Sequence, residues 1–568
     1  KLLVFLAFCS LTFANTWYIS PFGSNSNSGT SPTSPFFDLS TALHHAAVGD
    51  TVRVASGYYS GSVNTYLTLS GISLIGTAGS GSTVFQGTST SRVQYIFRLT
   101  DGSTIQGITV STAETGLELK TSSTLRDVAL KDMTTNGVLL ANGATTVAME
   151  KMTFSNCDDG ISDIGSGSTL KTLSISGGLF EECGNGISIT SSSASLTNIT
   201  IADADFNGAL ESSTKAVYLY NQASSTTTVG YQIENSTIRN YDYGITGAGI
   251  YLSAAQAEAN IVNCNFFNNS CSSGCGLYVD GNIDVYIGYT EFLDNLASSS
   301  GAALYASSDS TITLYKSVFK GNTVTGGGGG GAYLSSSSAD VQFVVHDCEF
   351  ISNSAASGGA LYCPYQNVQI YGSAFRENTA TNNGGAISTS TRTEITNSTF
   401  SKNTASLGGA FYVSSSSVEG VSISTSNFTA NSAGQDGGAV YQASGTIQIK
   451  GCLLSSNVAN DNGGGIYTES ALNIIGGNIT QNEATDGGGI YIDSYPSSVN
   501  MKFVTFEDNN ASGNGGGFDC VDNAGVFLNY VSFSENAGAK GSAYYCNTCS
   551  VTSSKVNIDG NNEVDCKS

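Results

Sequence analysis

The chain has little charge and few of the residues that divide or interrupt a structure. Only 11% of its 568 residues are charged, and it contains 5 prolines, 3 histidines and one tryptophan. No proline-rich or charged linker is present, although 568 residues are too many for a single globular core. The 21 Lys and Arg against 44 Asp and Glu give a net charge of −23. Nucleic acids and anionic membranes are therefore unfavourable partners, because both bind clustered cations.

What the chain has in abundance is a repeat. An apolar residue followed three positions later by Asn recurs at intervals of 25 to 31 residues, usually after a Gly-Gly turn and a Tyr. The instances are Phe266-Asn269, Phe292-Asn295, Phe319-Asn322, Phe350-Asn353, Phe375-Asn378, Phe400-Asn403, Phe428-Asn431, Leu454-Asn457, Ile479-Asn482, Phe506-Asn509 and Phe533-Asn536. A fixed period of this length predicts stacked units that gain a continuous core only by stacking.

Residues 357–378 show how one repeat is built. A Gly-Gly turn leads to Ala360-Leu361-Tyr362, and an alternating run from Val368 to Tyr371 precedes Phe375 and Asn378. Short alternating runs between Gly and Asn turns are typical of strands, and helical spacing is missing from the repeats. A leucine-rich repeat would need a recurring Leu frame that this chain does not have. We expect an all-β, single-stranded parallel β-helix with three short strands per turn and about twenty coils, spanning residues 51–568.

The first fifty residues predict an export signal and a cap. Residues 1–14 are apolar and end in Thr12-Phe13-Ala14, a small-x-Ala pattern typical of signal-peptide cleavage. We expect a secreted, extracellular or cell-surface protein without membrane insertion. In residues 15–50, the segment Asp38–Val48 reads as a short amphipathic helix that caps the open core end. Asp50–Val54 reads as the first strand.

A residue type that recurs once per turn forms a column, because neighbouring turns lie one strand spacing apart. We expect the Phe column to be a buried spine and the Asn column to form an amide ladder. Alternation places a third column, of tyrosines, on the outside, where it offers a contact surface for glycans or for cell-surface and matrix proteins. The alternative is a ladder that only stiffens the chain. These tyrosines are Tyr251, Tyr278, Tyr305, Tyr362, Tyr412, Tyr441, Tyr467, Tyr491 and Tyr545.

Three acidic residues are the only candidates for a metal site. Asp436, Asp461 and Asp486 are 25 residues apart, and each precedes a Gly run. Like charges one turn apart repel each other. Either the three side chains splay into solvent, or a calcium ion bridges them with backbone carbonyls. No other cofactor is expected.

The cysteines fit an oxidising compartment. Of 13 cysteines, Cys9 lies in the predicted signal peptide, which leaves an even number. Cys157 and Cys183 occupy the same repeat position in adjacent turns, within disulfide reach. We predict a bond between them, and a second cluster near the C-terminus. That cluster comprises Cys520, Cys546, Cys549 and Cys566, and Cys264, Cys271 and Cys275 make a third group.

The repeat resembles a known family. Gly358-Gly359-Ala360-Leu361-Tyr362 and Phe375-Arg376-Glu377-Asn378 are similar to the Gly-Gly-Ala-Ile and Phe-x-x-Asn repeats of the chlamydial polymorphic outer membrane proteins. The opening, from Trp17 to Gly61, resembles pectin-lyase-like β-helix proteins. The first resemblance implies a right-handed β-helix displayed outside the cell, with adhesion as its role.

A third resemblance concerns catalysis. Cys157-Asp158-Asp159-Gly160 and Cys183-Gly184-Asn185-Gly186 look like the Asp-Asp and Gly-His-Gly segments of polygalacturonases, but Asn185 stands where that family has His. Inverting hydrolysis needs two carboxyl groups on opposite sides of the bond, whereas here one pair of adjacent residues, Asp158 and Asp159, stands alone. We therefore expect a non-enzymatic adhesin or structural rod. The alternative is a pectin-lyase-like or polygalacturonase-like enzyme with a degenerate site at Asp158 and Asp159.

Overall fold

The computed structural model describes residues 14–567, apart from a few short gaps. The gaps are 65, 88–93, 166, 192–194, 209–213, 222–227, 308, 336–341, 366, 415–419, 494–497, 523 and 562–563. The predicted signal peptide, residues 1–14, lies outside the described residues except for Ala14. The chain forms two compact units, Lys1–Asn207 and Gly208–Ser568. The described strands form a right-handed parallel β-solenoid of about 18 turns, where the repeat predicts a parallel β-helix of about twenty coils and the resemblance implies the handedness.

Among its described residues, unit 1 consists of parallel strands, one α-helix, Leu39–His45, and a 3₁₀ turn, Ser62–Asn64. Its strands are Thr16–Ile19, Thr51–Val54, Gly57–Ser60, Leu67–Ser70, Ser73–Gly76, Thr83–Gln86, Phe97–Thr100, Thr104–Leu119, Ser123–Leu140, Thr146–Asp163, Thr172–Glu181, Asn185–Ser191, Asn198–Ala202 and Asp205–Asn207.

The cap helix begins where the sequence predicts and ends earlier. The Asp38 carboxylate accepts a hydrogen bond from the Thr41 backbone N–H at 2.8 Å, which caps the first turn. Leu39 and Ala42 are fully buried. Ala46 already has extended backbone angles, and Val48 is 71% exposed. The first strand was also predicted wrongly, because Thr16–Ile19 precedes Thr51–Val54 and pairs with it in parallel.

Turns of unit 2 contain a strand more than predicted, because a short fourth strand follows each ladder Asn from Asn269 to Asn509. The four kinds are named here for what they carry. The tyrosine strands are Lys215–Asn221, Ile250–Val262, Leu277–Gly288, Leu304–Ala306, Ala332–Leu334, Leu361–Cys363, Ile387–Thr389, Phe411–Ser414, Val440–Ser444, Ile466–Thr468, Ile490–Asp493, Phe518–Val521, Tyr544–Asn547 and Val564–Lys567. The middle strands are Val229–Glu234, Thr311–Tyr315, Gln342–His346, Asn367–Tyr371, Thr393–Thr396, Val421–Ser424, Ile447–Ser455, Leu472–Thr480, Ser498–Glu507, Gly525–Asn529 and Ser550–Ser554, together with the second halves of Ile250–Val262 and Leu277–Gly288.

The remaining strands of unit 2 are the phenylalanine strands, which hold the apolar residue of the repeat motif, and the short strands; Leu454, Ile479 and Phe506 lie instead at the ends of long middle strands. The phenylalanine strands are Thr237–Arg239, Asn265–Phe267, Glu291–Leu293, Val318–Lys320, Glu349–Ile351, Ala374–Arg376, Thr399–Ser401, Asn427–Thr429, Ser532–Ser534 and Asn557–Asp559. The short strands form a separate eleven-stranded sheet. They are Asp242–Thr246, Ser270–Ser273, Leu296–Ser300, Thr323–Val324, Ser354–Ser357, Thr379–Asn383, Thr404–Ala405, Ser432–Ala433, Val458–Ala459, Glu483–Ala484 and Asn510–Ala511.

The Phe column is a buried spine in both units, as predicted. In unit 1 the rings of Phe154, Phe180 and Phe206 stack at 4.6 and 4.4 Å between centroids. In unit 2 seven rings from Phe266 to Phe428 stack at 4.5 to 4.8 Å. Each buried ring contributes about 2–3 kcal/mol by leaving water, and stacking adds about 1 kcal/mol.

The Asn column forms the predicted amide ladder and extends one turn further, to Asn561. From Asn269 onward, each Nδ2 donates to Oδ1 of the Asn one turn on, at 2.8 to 3.2 Å. Asn269 through Asn536 are at most 4% exposed. The left-handed backbone of this turn belongs to the residue before each Asn, for example Glu377 with φ 58°. Asn is therefore needed at these positions for its side-chain amide and not for its backbone conformation.

The Gly-Gly turn lets adjacent turns approach closely. Gly358 has φ +59°, and a Cβ there would lie 2.1 Å from the Leu361 carbonyl oxygen. A Cβ on Gly359 would lie 2.3 Å from the Gly385 carbonyl oxygen in the next turn. A side chain at either position would collide with backbone that cannot move aside, which is why the pair recurs.

Candidate functional site

The predicted acidic pair lies on a polar row that crosses four strands of unit 1. Thr115, Asn136, Asp159 and Asn185 occupy one register position in consecutive turns. The Asn185 amide Nδ2 donates to Asp159 Oδ1 at 2.7 Å. Asp159 is half-buried, whereas Asp158 is exposed. Although Asp158 and Asp159 are adjacent in sequence, their surroundings therefore differ, and only Asp159 joins the row.

The environment of Asp159 favours its protonated form. Burial raises the pKa of this carboxyl, and the charge of Asp158 adds to the rise, while the Asn185 hydrogen bond opposes it. Asn136 is 8% exposed, and the Ser162 hydroxyl donates to its Oδ1. The row thus presents one carboxyl among amides and hydroxyls.

A groove that the sequence did not reveal lies beside this row. It has a volume of about 300 Å³, and its walls include Tyr95, Arg98, Glu114, Glu118 and Asn136. The Arg98 Nε atom lies 2.5 Å from Glu118 Oε2, and the guanidinium lies 4.3 Å from the centre of the Tyr95 ring. The sequence does hold one indication of this groove: Arg98 and Glu118, which have opposite charges, occupy the same register position on adjacent strands. The groove combines an aromatic ring, a cation and two carboxylates, a set that suits a polar ligand such as a sugar.

The tyrosine column of unit 2 is confirmed as a column, but its predicted exposure is wrong. Its rings stack at 4.7 to 5.4 Å in two runs, Tyr218 to Tyr362 and Tyr412 to Tyr491. Tyr218 and Tyr333 belong to it and were missed, although Gly331-Ala332-Tyr333 carries the same signal. Tyr441, Tyr467 and Tyr545 are only 9%, 7% and 6% exposed, and the others are half-buried.

The Gly turns cause this burial. They lie against the tyrosine rings, so that a Cβ on Gly328 would lie 2.6 Å from the Tyr362 ring. The hydroxyls also have partners: Tyr441 donates to Glu469 Oε1 at 2.5 Å, and Tyr467 donates to Asp493 Oδ2 at 2.8 Å. The column therefore behaves chiefly as the stiffening ladder that was the alternative interpretation.

Two residues interrupt the tyrosine column. Ser388 stands between Tyr362 and Tyr412, and Asp519 stands between Tyr491 and Tyr545. Asp519 is 1% exposed, and its Oδ1 has no hydrogen-bond partner among the described residues. Burial and the nearby charge of Asp486 raise the pKa of Asp519 to about 7.

The three candidate calcium ligands do not form a like-charged column. Asp436 Oδ1 accepts hydrogen bonds from both the backbone N–H and the amide of Asn462, at 3.0 and 2.9 Å. Asn462 is in register with Asp486, which accepts from the Asn514 N–H at 2.6 Å. Asp and Asn thus alternate in the column, and Asp461 is exposed beside it. Within the described residues, no three His, Cys, Asp or Glu side chains are placed to hold a metal ion.

The disulfides differ in part from those predicted. Cys546 and Cys566, in register on adjacent strands, are bonded with a Cα separation of 4.4 Å, and Cys271 is bonded to Cys275. Cys520 and Cys549 remain thiols. Cys157 and Cys183 also remain thiols, both buried, so the predicted bond is not formed. Instead, the two thiols contact each other, and they donate to the Ser155 and Glu181 carbonyl oxygens at 3.6 and 3.7 Å.

Comparison with known proteins identifies the family. The model of the right-handed β-helix region matches residues 115–292, 185–375 and 297–478, which together span more than half of the chain. The chain belongs to this family of right-handed parallel β-helix proteins. A search of the curated proteins finds no match. The described residues contain no helix long and apolar enough to span a membrane.

Two solved structures are similar at low identity. A rhamnogalacturonan lyase shares 14% identity over 55% of this chain and 82% of its own, with a TM-score of 0.29. An alginate lyase of family PL6 shares 10% identity over 93% of this chain and 98% of its own, with a TM-score of 0.20. Neither similarity bears on what this chain does.

Proposed function

We propose that the protein is a secreted, non-enzymatic adhesin or structural protein of the cell surface or extracellular matrix. The observation that carries this proposal is the strict register of unit 2, in which outward-facing side chains recur at every turn. For example, Asn260, Tyr286 and Thr313 lie in one row of adjacent middle strands. Weak contacts repeated along a surface raise avidity without a single tight pocket. The resemblance to the chlamydial repeats supports the same role.

Binding of the intact protein tests the proposal. The labelled chain should bind to cultured cells, matrix proteins or immobilised glycans in a saturable way that excess unlabelled chain abolishes. Heat-unfolded chain is the control for nonspecific adsorption. Absence of saturable binding to all three surfaces would refute the role in adhesion.

A second candidate is a polysaccharide-active enzyme, favoured by the groove of unit 1. The observation for it is the adjacency of Arg98 and Glu118 to the row that contains Asp159, whose carboxyl has a raised pKa. A carboxyl with a raised pKa, on a polar row that borders a groove containing a cation, suits an acid–base role in cleavage of an acidic polysaccharide. The test is release of reducing ends or unsaturated products from polygalacturonate. Cleavage that Asp159→Asn abolishes would establish the enzyme, and no cleavage would leave the binding protein as the remaining proposal.

A further inference from the structure

An aromatic cluster lies on the outer face of the middle strands in unit 2. Tyr315, His346 and Tyr371 occupy one register position on three successive turns. Their ring centroids are 5.5 and 6.2 Å apart. Tyr289, which is 51% exposed, meets Tyr315 edge to face at 5.5 Å. These rings lie outside the stacked tyrosine column and are not covered by its Gly turns.

A glycine completes this cluster. Gly288 precedes Tyr315 in the same column, and the Tyr286 ring lies across it. A Cβ on Gly288 would lie 2.8 Å from the Tyr286 ring. The missing side chain thus makes room for the ring, and Tyr286 connects the aromatic column to the row of polar residues beside it.

Two polar grooves flank the rings on the same strands. The first has a volume of about 210 Å³ and is lined by Glu258, Asn260, Asp284, Tyr286, Thr311 and Thr313. The second, of about 190 Å³, is lined by Gln342, Asn367, Gln369, Arg392 and Glu394. Tyr371 follows the groove residue Gln369 by two positions on the strand Asn367–Tyr371, so the two side chains lie on the same face beside the second groove. Rings and grooves therefore make a continuous strip along several turns.

We propose that this strip binds an uncharged polysaccharide chain. The inference rests on the proposed role in binding and specifies its ligand. Aromatic rings pack against the apolar faces of pyranose rings, and amide, hydroxyl and carboxylate groups hydrogen-bond sugar hydroxyls. The carboxylates of Glu258, Asp284 and Glu394 repel polyuronates, and the chain as a whole carries a net charge of −23. Lys316 is the principal cation at the rings, and its Nζ atom lies 5.1 Å from the centre of the Tyr315 ring.

Calorimetric titration of the full chain tests the proposal. The probes are cellohexaose, mannohexaose and xylohexaose, with hexagalacturonate as the charged comparator. We expect saturable binding of at least one neutral hexasaccharide and at least tenfold weaker binding of hexagalacturonate. The double variant Tyr286→Ala, Tyr315→Ala should bind the neutral hexasaccharide with at least tenfold lower affinity. Tyr315→Phe, which keeps the ring, should bind nearly as the parent protein does.

The matched control is Tyr365→Ala, which removes a tyrosine that is 58% exposed and lies outside the strip. It should leave affinity unchanged, and circular dichroism should show the same melting temperature for all variants. Unchanged affinity in the folded double variant would refute the strip as the site. Saturable cell adhesion without binding of any neutral hexasaccharide would overturn this inference alone. Absence of adhesion as well would also overturn the proposed role in adhesion.

Discussion

Replacing one Asn in the middle of the amide ladder should be among the most damaging single changes in unit 2. Asn403 is fully buried, and its Nδ2 donates to the Phe375 carbonyl oxygen at 3.0 Å and to Asn431 Oδ1 at 2.9 Å. Its Oδ1 accepts from both the amide and the backbone N–H of Asn378, each at 3.0 Å. Alanine would remove all four hydrogen bonds.

The magnitude follows from the groups that lose partners. The Asn378 backbone N–H loses the acceptor that Asn403 supplies, the Phe375 carbonyl loses the Asn403 amide, and one amide proton of Asn378 loses its acceptor. Each buried polar group without a partner costs about 1–3 kcal/mol. We therefore expect Asn403→Ala to lower the free energy of unfolding by about 3–9 kcal/mol, a large share of the roughly 5–15 kcal/mol typical of folded domains.

Urea denaturation followed by circular dichroism measures this loss. The matched control is Asn500→Ala, which removes an exposed amide that donates to Asn473 Oδ1 at 2.9 Å. An exposed site of this kind should change stability by about 0.5 kcal/mol or less. A loss below about 1 kcal/mol for Asn403→Ala, or equal losses for both variants, would show that the ladder does not hold the turns together.

Three further outcomes are expected. Tyr441→Phe removes the hydrogen bond to Glu469 and should cost about 1.5–3 kcal/mol at pH 7, measured by the same denaturation. The raised pKa of Asp519, about 7 against an ordinary 3.8, means that the folded protein binds this proton more tightly than the unfolded chain. Stability should therefore fall as pH rises from 3.8 to about 7, by about 4 kcal/mol, and Asp519→Asn should remove that slope; a slope unchanged in the variant would contradict the assignment. Alkylation of the unreduced, unfolded protein should label Cys157 and Cys183 and leave Cys546 and Cys566 unlabelled. Absence of label on Cys157 and Cys183 would indicate that the predicted bond between them forms.

The fold could be predicted from sequence because its columns are made of identical residues. Phe and Asn recur at a fixed interval, and stacking requires that such residues lie above one another. The right-handed sense of the β-helix was predicted from the resemblance to the chlamydial repeats. The fourth strand escaped prediction because it is as short as two residues, as in Thr404–Ala405, and carries no alternation that can be recognised.

The surface could be predicted less well, since exposure depends on neighbouring turns. Alternation correctly placed the tyrosines outside the core, but the Gly turns that cover them leave no signal in the strand itself. The predicted Asp column failed because Asp436 aligns with Asn462 and not with Asp461, a shift of one residue. The aromatic strip was missed because the column that holds Tyr315, His346 and Tyr371 does not repeat one residue type at every turn.

The density dependence of binding tests most directly whether repeated surface contacts account for function. The full chain would be passed over sensor surfaces that carry one immobilised neutral hexasaccharide at decreasing density. Repeated contacts predict an apparent affinity that weakens by about 100-fold or more once neighbouring ligands are too sparse to be bound together. An affinity independent of density would indicate a single isolated site and contradict the account.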